Sequence, residues 1–207
     1  FIISDMGVLK VAKEFTNIPI HTSTQASITN GYTCQLWKEA GAKRIILARE
    51  VSIEECKKIQ KDCNIELEVF VHGAMCASYS GKCVISNYTA GRDSNRGGCV
   101  QSCRHTYTLN KETPLSTHIM NAKDLLGITT IPEIIKAGIS SLKIEGRMKS
   151  LMYASNAIAI YREALDHYYD AIINKTTMPD SRHWIQKLNH VSNRTFSTGG
   201  LEKRPEG

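Results

Sequence analysis

Several things are missing from this sequence, and each absence narrows what it can be. No apolar run approaches the ~18 residues that a membrane-spanning helix needs, so no membrane span is expected among its 207 residues. No secretory signal peptide is visible. No G-x-S-x-G, H-E-x-x-H or familiar Cys-His signature is present, so nothing local marks an activated nucleophile or a metal-bound water for hydrolysis. Strong charge of one sign is lacking too. The formal net charge of +6 is spread along the chain and permits contact with nucleic acid without demanding it. There is no initiating methionine; the chain starts on Phe1-Ile2-Ile3, and we read it as a fragment that begins inside a strand. What remains, 42% hydrophobic and 22% charged residues, is the composition of a globular protein, expected in the cytoplasm.

What is present is clustered cysteine. Cys76, Cys83, Cys99 and Cys103, four of the seven cysteines, fall within 28 residues, with six, fifteen and three residues between successive members. They lie in a long Gly- and Ser-rich segment that follows an alternating strand-like run, Leu67 to Val71. Three causes compete. Disulfides suit secreted mini-domains and fit poorly with an odd cysteine count in a chain long enough for a core. Zinc sites bring their ligands in close pairs, a spacing that Cys99 and Cys103 satisfy and that Cys76 and Cys83 do not. A cubane iron-sulfur cluster tolerates irregular spacing and profits from glycines that let the backbone approach its sulfides. Gly73, Gly81, Gly97 and Gly98 stand in such positions. On spacing alone an iron-sulfur cluster stands ahead of zinc, with buried cysteines as the bland alternative. Cys34, Cys56 and Cys63 fall on expected helices without partners at ligand spacing and read as buried free thiols.

The rest of the chain repeats a strand-then-helix pattern at intervals of roughly 20 to 27 residues, the mark of βα units around a parallel sheet. Strands are expected at 1–4, 18–21, 44–48, 67–71 and 142–145, and helices at 7–14, 25–40, 52–62, 131–137, 150–173 and 181–189. The helix at 52 has the clearest start, because Ser52 and Glu55 form a capping box. A weak internal repeat sets Glu39 to Glu50 beside Lys136 to Arg147: a helix end, a glycine cap, a buried strand, then Arg and Glu at the strand's end. The expected fold class is therefore α/β, a partial TIM-barrel-like repeat of βα units with a long cysteine-bearing loop at 73–107. Residues 1–175 form this domain with its N-terminal strands missing. Residues 176–207 supply a last helix, a polar loop-like end and the start of a connection to an absent β-rich domain.

Three blocks together carry a specific resemblance: His72-Gly73-Ala74-Met75-Cys76 running to Tyr79-Ser80-Gly81-Lys82-Cys83, Gly91-Arg92-Asp93-Ser94-Asn95-Arg96-Gly97, and Leu142 to Lys149 with Glu145-Gly146-Arg147 inside it. Over nearly all of its length the chain resembles the collagenase-like U32 peptidase family. Despite that name, the resemblance implies oxygen-independent or prephenate-dependent hydroxylation, of tRNA wobble uridine, ribosomal RNA or ubiquinone precursors, by proteins several of which hold a 4Fe-4S cluster. It makes Cys76, Cys83, Cys99 and Cys103 the candidate cluster ligands, with zinc as the alternative metal. It implies RNA, tRNA above all, as a partner, with a partner protein of the same family as another. Peptide-bond hydrolysis is the alternative, and a non-catalytic iron-sulfur or zinc module a third.

In βα barrels the C-terminal ends of the strands form the catalytic face. His21, Thr22, Gln25, Arg49, Glu50, His72, Glu145 and Arg147 are thus one candidate pocket rim. His72, Glu145 and Arg147 are the catalytic candidates. His21, Gln25, Arg49, Glu50, Tyr79 and Arg92 are the substrate-binding ones. Arg49, Arg92 and Arg147 suit a small dicarboxylate such as prephenate, because guanidinium binds carboxylate in bidentate fashion. Each has a plain structural alternative: satisfied histidines at 21 and 72, ion pairs within Arg49-Glu50 and Glu145-Arg147, and a seal over the cluster for Tyr79, Arg92 and Arg96. Tyr153, Tyr161, Leu165, Tyr168 and Tyr169 read as core and helix surface at helical spacing.

Overall fold

The computed structural model describes residues 1–109 and 116–202. Its elements run β1 (Ile2–Ile3), α1 (Met6–Phe15), β2 (His21–Thr22), α2 (Gly31–Ala40), β3 (Arg44–Ile46), α3 (Ile53–Cys63) and β4 (Glu66–Ala74). Then follow α4 (Ile85–Ala90), β5 (Tyr107–Thr108), β6 (Ser116–Thr117), β7 (Asp124–Leu126), α5 (Ile131–Lys136), β8 (Ser141–Glu145), α6 (Leu151–Asn174), α7 (Arg182–Asn189) and β9 (Phe196–Ser197).

The repeat of βα units produces the expected parallel sheet. Strands β1, β2, β3 and β4 lie side by side in parallel, and β8 joins the far edge of β4, also in parallel. Glu68 pairs with Ile46 and Ser141, so β3 and β8 flank β4 on opposite edges. Beyond the end of β3, the same edge of β4 takes β7 in antiparallel register, His72 opposite Leu126. The architecture is mixed α/β. Among the described residues the sheet is open, since β1 pairs β2 alone and β8 pairs β4 alone.

Local chemistry sets the helix boundaries. At α3 the capping box forms as expected: the Ser52 hydroxyl accepts from Glu55 N–H, and the Glu55 carboxylate accepts from Ser52 N–H at 2.9 Å. The helix expected over 25–40 is instead a short 3-10 turn, Thr24–Ala26, followed by α2. Ser27 sits at φ +57, which ends the turn, and the Asn30 side chain restarts the chain as N-cap by accepting from Thr33 N–H. The end of the chain is a second departure. The region from 191 to 200, expected as a polar loop, contains β9, which pairs in parallel with β7. Leu201 is buried in the core, and its carbonyl accepts from Ile53 N–H. Residues 203–207 of the expected connection lie outside the described residues.

The core lies between the sheet and its helices: Leu67, Val69 and Val71 of β4, Ile45 and Ile46 of β3, and Ile131, Ile134, Ala157 and Ala164 from the helices. Cys34, Cys56 and Cys63 are buried and free, as their helical positions imply. Burial pushes the Cys34 and Cys56 thiols up to about 12, so they stay protonated. Tyr153, Tyr161 and Tyr168 face the core from α6, and Tyr169 is exposed. Helix α7 docks through Trp184, fully buried, whose indole N–H donates to Glu163 at 3.1 Å.

Candidate active site

The four clustered cysteines meet in one place. Cys76, Cys83, Cys99 and Cys103 all line a cavity of about 340 Å³ at the C-terminal end of the parallel strands. All four are free thiols. Cys103 shows how near they are to one another: burial raises its thiol, Arg104 opposes the rise, and Cys76, Cys99 and Cys83 each add to it by charge. Among the described residues no three His, Cys, Asp or Glu side chains are set as ligands of a single metal ion.

A scaffold of side-chain bonds to the backbone holds the thiols in place. Asn95 grips Cys83 twice, accepting from its N–H at 3.3 Å and donating to its carbonyl at 2.9 Å. Ser86 accepts from Val100 N–H at 3.2 Å, next to Cys99. Gln101 N–H points at the Cys99 sulfur, 3.4 Å away. Arg104 staples the far end of the segment to Met75 and Ala122 carbonyls and to Asn121. Gly81 is required where the segment meets the turn after β2: at φ +73, a Cβ there would stand 2.3 Å from the Gln25 carbonyl oxygen. Four cysteines lining one cavity, with a backbone N–H aimed at the sulfur of one of them, fit a group ligated by thiolates.

The strand ends supply the other walls. Gln25, Arg49, Glu145 and Arg147, from the strand-end rim, and Tyr79, from the cysteine segment, line the cavity with the cysteines. The Arg49 guanidinium lies 4.9 Å from the Phe70 ring centre and donates to Ser80 at 3.4 Å. Its Nε is buried and takes no partner from the protein, and neither does Oε1 of Gln25. Glu145 accepts from the Arg147 N–H at 3.3 Å. Neither proposed ion pair forms: among the described residues Arg49 makes no salt bridge to Glu50, nor Arg147 to Glu145. Glu50 instead anchors the cysteine segment, accepting from Ser80 N–H at 2.7 Å. It lines an adjoining cavity of about 670 Å³ that shares Arg49, Cys76 and Tyr79 with the first.

Three candidates are placed elsewhere. Arg92 is exposed on the cysteine segment and does not line the cavity. His21 is the first residue of β2, in register with Arg44, and sits below the cavity beside Arg44 and Glu68. Burial first and then Arg44 lower its pKa, with Glu68 opposing. His72 is fully buried on the other side of the sheet. The cause is a β-bulge: Phe70 pairs with Lys143 and His72 with Ile144, so Val71 is one residue too many on β4. Phe70 keeps the cavity face under Arg49 and Lys143, while His72 turns onto Tyr153, Tyr161 and Phe196, at ring distances of 5.7, 5.2 and 5.7 Å. The Val71 carbonyl fixes the bulge by accepting from Gly127 N–H at 2.7 Å and Tyr161 hydroxyl at 2.8 Å.

The position of His72 predicts an acid-sensitive fold. Burial lowers its pKa to about 4, against the opposing charge of Asp124 and aided by Lys149. The unfolded chain, with an ordinary value of about 6.5, takes up the proton first, so stability is lost as pH falls below that value. Between pH 7 and pH 5 the expected loss is about 2 kcal/mol. His21 adds to the same slope. Urea midpoints at the two pH values should therefore diverge in the parent and much less in His72→Gln; equal divergence in both contradicts the assignment.

Sequence reasoning missed several members of this neighbourhood. Glu68 is buried within the sheet and carries Ser141 at 2.9 Å, Lys143 at 3.1 Å and Arg44 at 3.6 Å. Burial raises its carboxyl, but those hydrogen bonds and charges outweigh it and hold the group low. Asp124, fully buried, is ion-paired to Arg194 and to Lys149 and ties β7 to the start of α6. Asn95 and Arg104 stood in plain view beside the cysteines, and the crowding of polar side chains around a thiol cluster was the available signal.

Comparison with known proteins places the chain among relatives. A tRNA hydroxylation protein P1 of Bacillus subtilis is 38% identical over 218 residues, covering 99% of this chain and 50% of that protein. The 23S rRNA 5-hydroxycytidine C2501 synthase of Escherichia coli is 37% identical over 169 residues, 80% of this chain and 26% of that protein. A collagenase of Porphyromonas gingivalis is 31% identical over 215 residues, 96% of this chain and 51% of that protein. The chain thus spans about half, or less, of the length of these curated relatives. The family signature matches residues 1–207 without remainder, cysteine segment and strand ends included, and the chain belongs to peptidase family U32.

Proposed function

We propose that this chain is the iron-sulfur-bearing part of an RNA hydroxylation enzyme, acting on tRNA wobble uridine with prephenate as the small co-substrate. The observation that carries the reading is the meeting of Cys76, Cys83, Cys99 and Cys103 in one cavity with Arg49 and Arg147. The names of the Bacillus and Escherichia relatives support RNA as the substrate. The βα units are read as part of a TIM-like barrel whose C-terminal face bears this site.

In this account the four thiolates hold a 4Fe-4S cluster, which supplies electron transfer when bound. Arg49, with its unpartnered Nε and its guanidinium over the Phe70 ring, and Arg147, exposed at the rim, bind the carboxylates of the co-substrate. Glu145 lines the same cavity and is the carboxylate available to hold a proton beside the substrate. His72, buried on the other side of the sheet, is not among the residues lining the cavity. Peptide-bond hydrolysis finds less support, because no histidine is among the residues lining the cavity to serve a serine or cysteine as base.

Arg147→Ala tests the assignment. Hydroxylated nucleoside in RNA from cells that rely on this protein should fall to background, with the iron content of the purified protein unchanged. Full modification by the variant would remove Arg147 from the site.

A further inference from the structure

We propose that Tyr79 and Met148 form a stacking mouth for one unstacked base of single-stranded RNA, with Gln25 reading the base edge inside the cavity. The inference rests on the RNA reading above and specifies how that substrate is held.

Tyr79 and Met148 are large side chains left 75% and 71% exposed, and both line the cysteine cavity. Large apolar side chains stranded in water beside a cavity mark a surface that a ligand covers. The phenol of Tyr79 forms no hydrogen bond among the described residues, so its ring is not held open for a structural purpose. It lines both cavities, together with Arg49 and Cys76, which puts its ring beside the thiols. Every base presents a π-face to an aromatic ring, and a base that undergoes chemistry must leave its stack to be reached. A polarisable thioether on the same rim suits the second face. Inside, the unpartnered Oε1 of Gln25 is a buried amide acceptor with no protein donor, which a base N–H satisfies.

Charge points the same way. Between Cys76 and Leu109 the sequence carries four Lys or Arg residues against one acid, Asp93. Asp93 is turned inward onto its own loop, where it accepts from Asn95 N–H at 2.9 Å. Lys82, Arg92 and Arg96 are exposed and make no ion pair among the described residues. They provide the phosphate contacts that a single strand needs on either side of the extruded base. This gives Arg92, which stands outside the cavity, a place in the same interaction.

Fluorescence anisotropy with an end-labelled, uridine-rich single-stranded RNA octamer tests the proposal, with a duplex of the same sequence as competitor. The parent should prefer the single strand. Tyr79→Ala should weaken binding about tenfold to a hundredfold, the loss of one stacked base, and Tyr79→Trp should restore it. Equal binding by Tyr79→Ala and the parent overturns the stacking role alone. A parent that binds no RNA, or prefers the duplex, overturns the RNA reading on which it rests.

Discussion

Changing any one of Cys76, Cys83, Cys99 or Cys103 to Ala is expected to bring hydroxylated nucleoside in cellular RNA down to background while leaving the fold intact. The two halves of this expectation have separate grounds. The four sulfurs line one cavity, and Cys103 is influenced by the charge of the other three, so removing one donor leaves an incomplete ligand set. The fold should survive because Cys76 and Cys99 are exposed, Cys83 and Cys103 are half-buried, and none of the four belongs to the hydrophobic core. Far-ultraviolet circular dichroism of the variants checks the second half, and nucleoside analysis by mass spectrometry the first. The same changes at Cys34 or Cys56 should reverse the pattern, with stability lost from the core and modification retained in the protein that folds. If all four cavity variants modify RNA normally, the thiols do not hold a functional group.

Gly73→Ala should cost about 4 kcal/mol of stability, the sum of backbone strain and overpacking against a neighbour that cannot yield. Gly73 is the last residue but one of β4, just before the chain enters the cysteine segment, and is paired with both β7 and β8. Its φ is +102, and a Cβ there would lie 2.0 Å from the carbonyl oxygen of Glu145. That neighbour is backbone of β8, paired in register with Gly73 itself, so relief requires the two strands to separate. The damage falls on function as well, because β8 delivers Glu145 and Arg147 to the cavity and β4 delivers Cys76. Urea unfolding of the variant measures the cost. A loss below about 0.5 kcal/mol, no more than the ordinary spread of surface substitutions, would show that the strands are not so closely joined.

The contrast between Arg49 and His72 shows what could be read without coordinates. Arg49, Glu145 and Arg147 were found by a rule that needs only strand position, since residues just past a parallel strand gather at one end of the sheet. The rule fails for His72 because a single extra residue, Val71, reverses every later side chain on β4. That bulge is held by Tyr161 and Gly127, far away in sequence, and no local pattern in β4 encodes it. Strand β9 was hidden for a related reason: two residues, Phe196 and Ser197, carry no periodicity, and their place comes from pairing with β7. The capping box at Ser52 was legible in full because donor and acceptor lie within one helical turn. The cysteine cluster was legible as a cluster, while its scaffold of Asn95, Ser80 and Arg104 depends on contacts made only after the segment folds back over the strand ends.

Iron and acid-labile sulfide analysis of the anaerobically prepared protein, with its visible absorption spectrum, tests the central claim most directly. The account predicts a broad band near 400 nm and about four irons per chain, with matching sulfide. Colourless protein that contains zinc, or that holds no metal after anaerobic preparation, would contradict it.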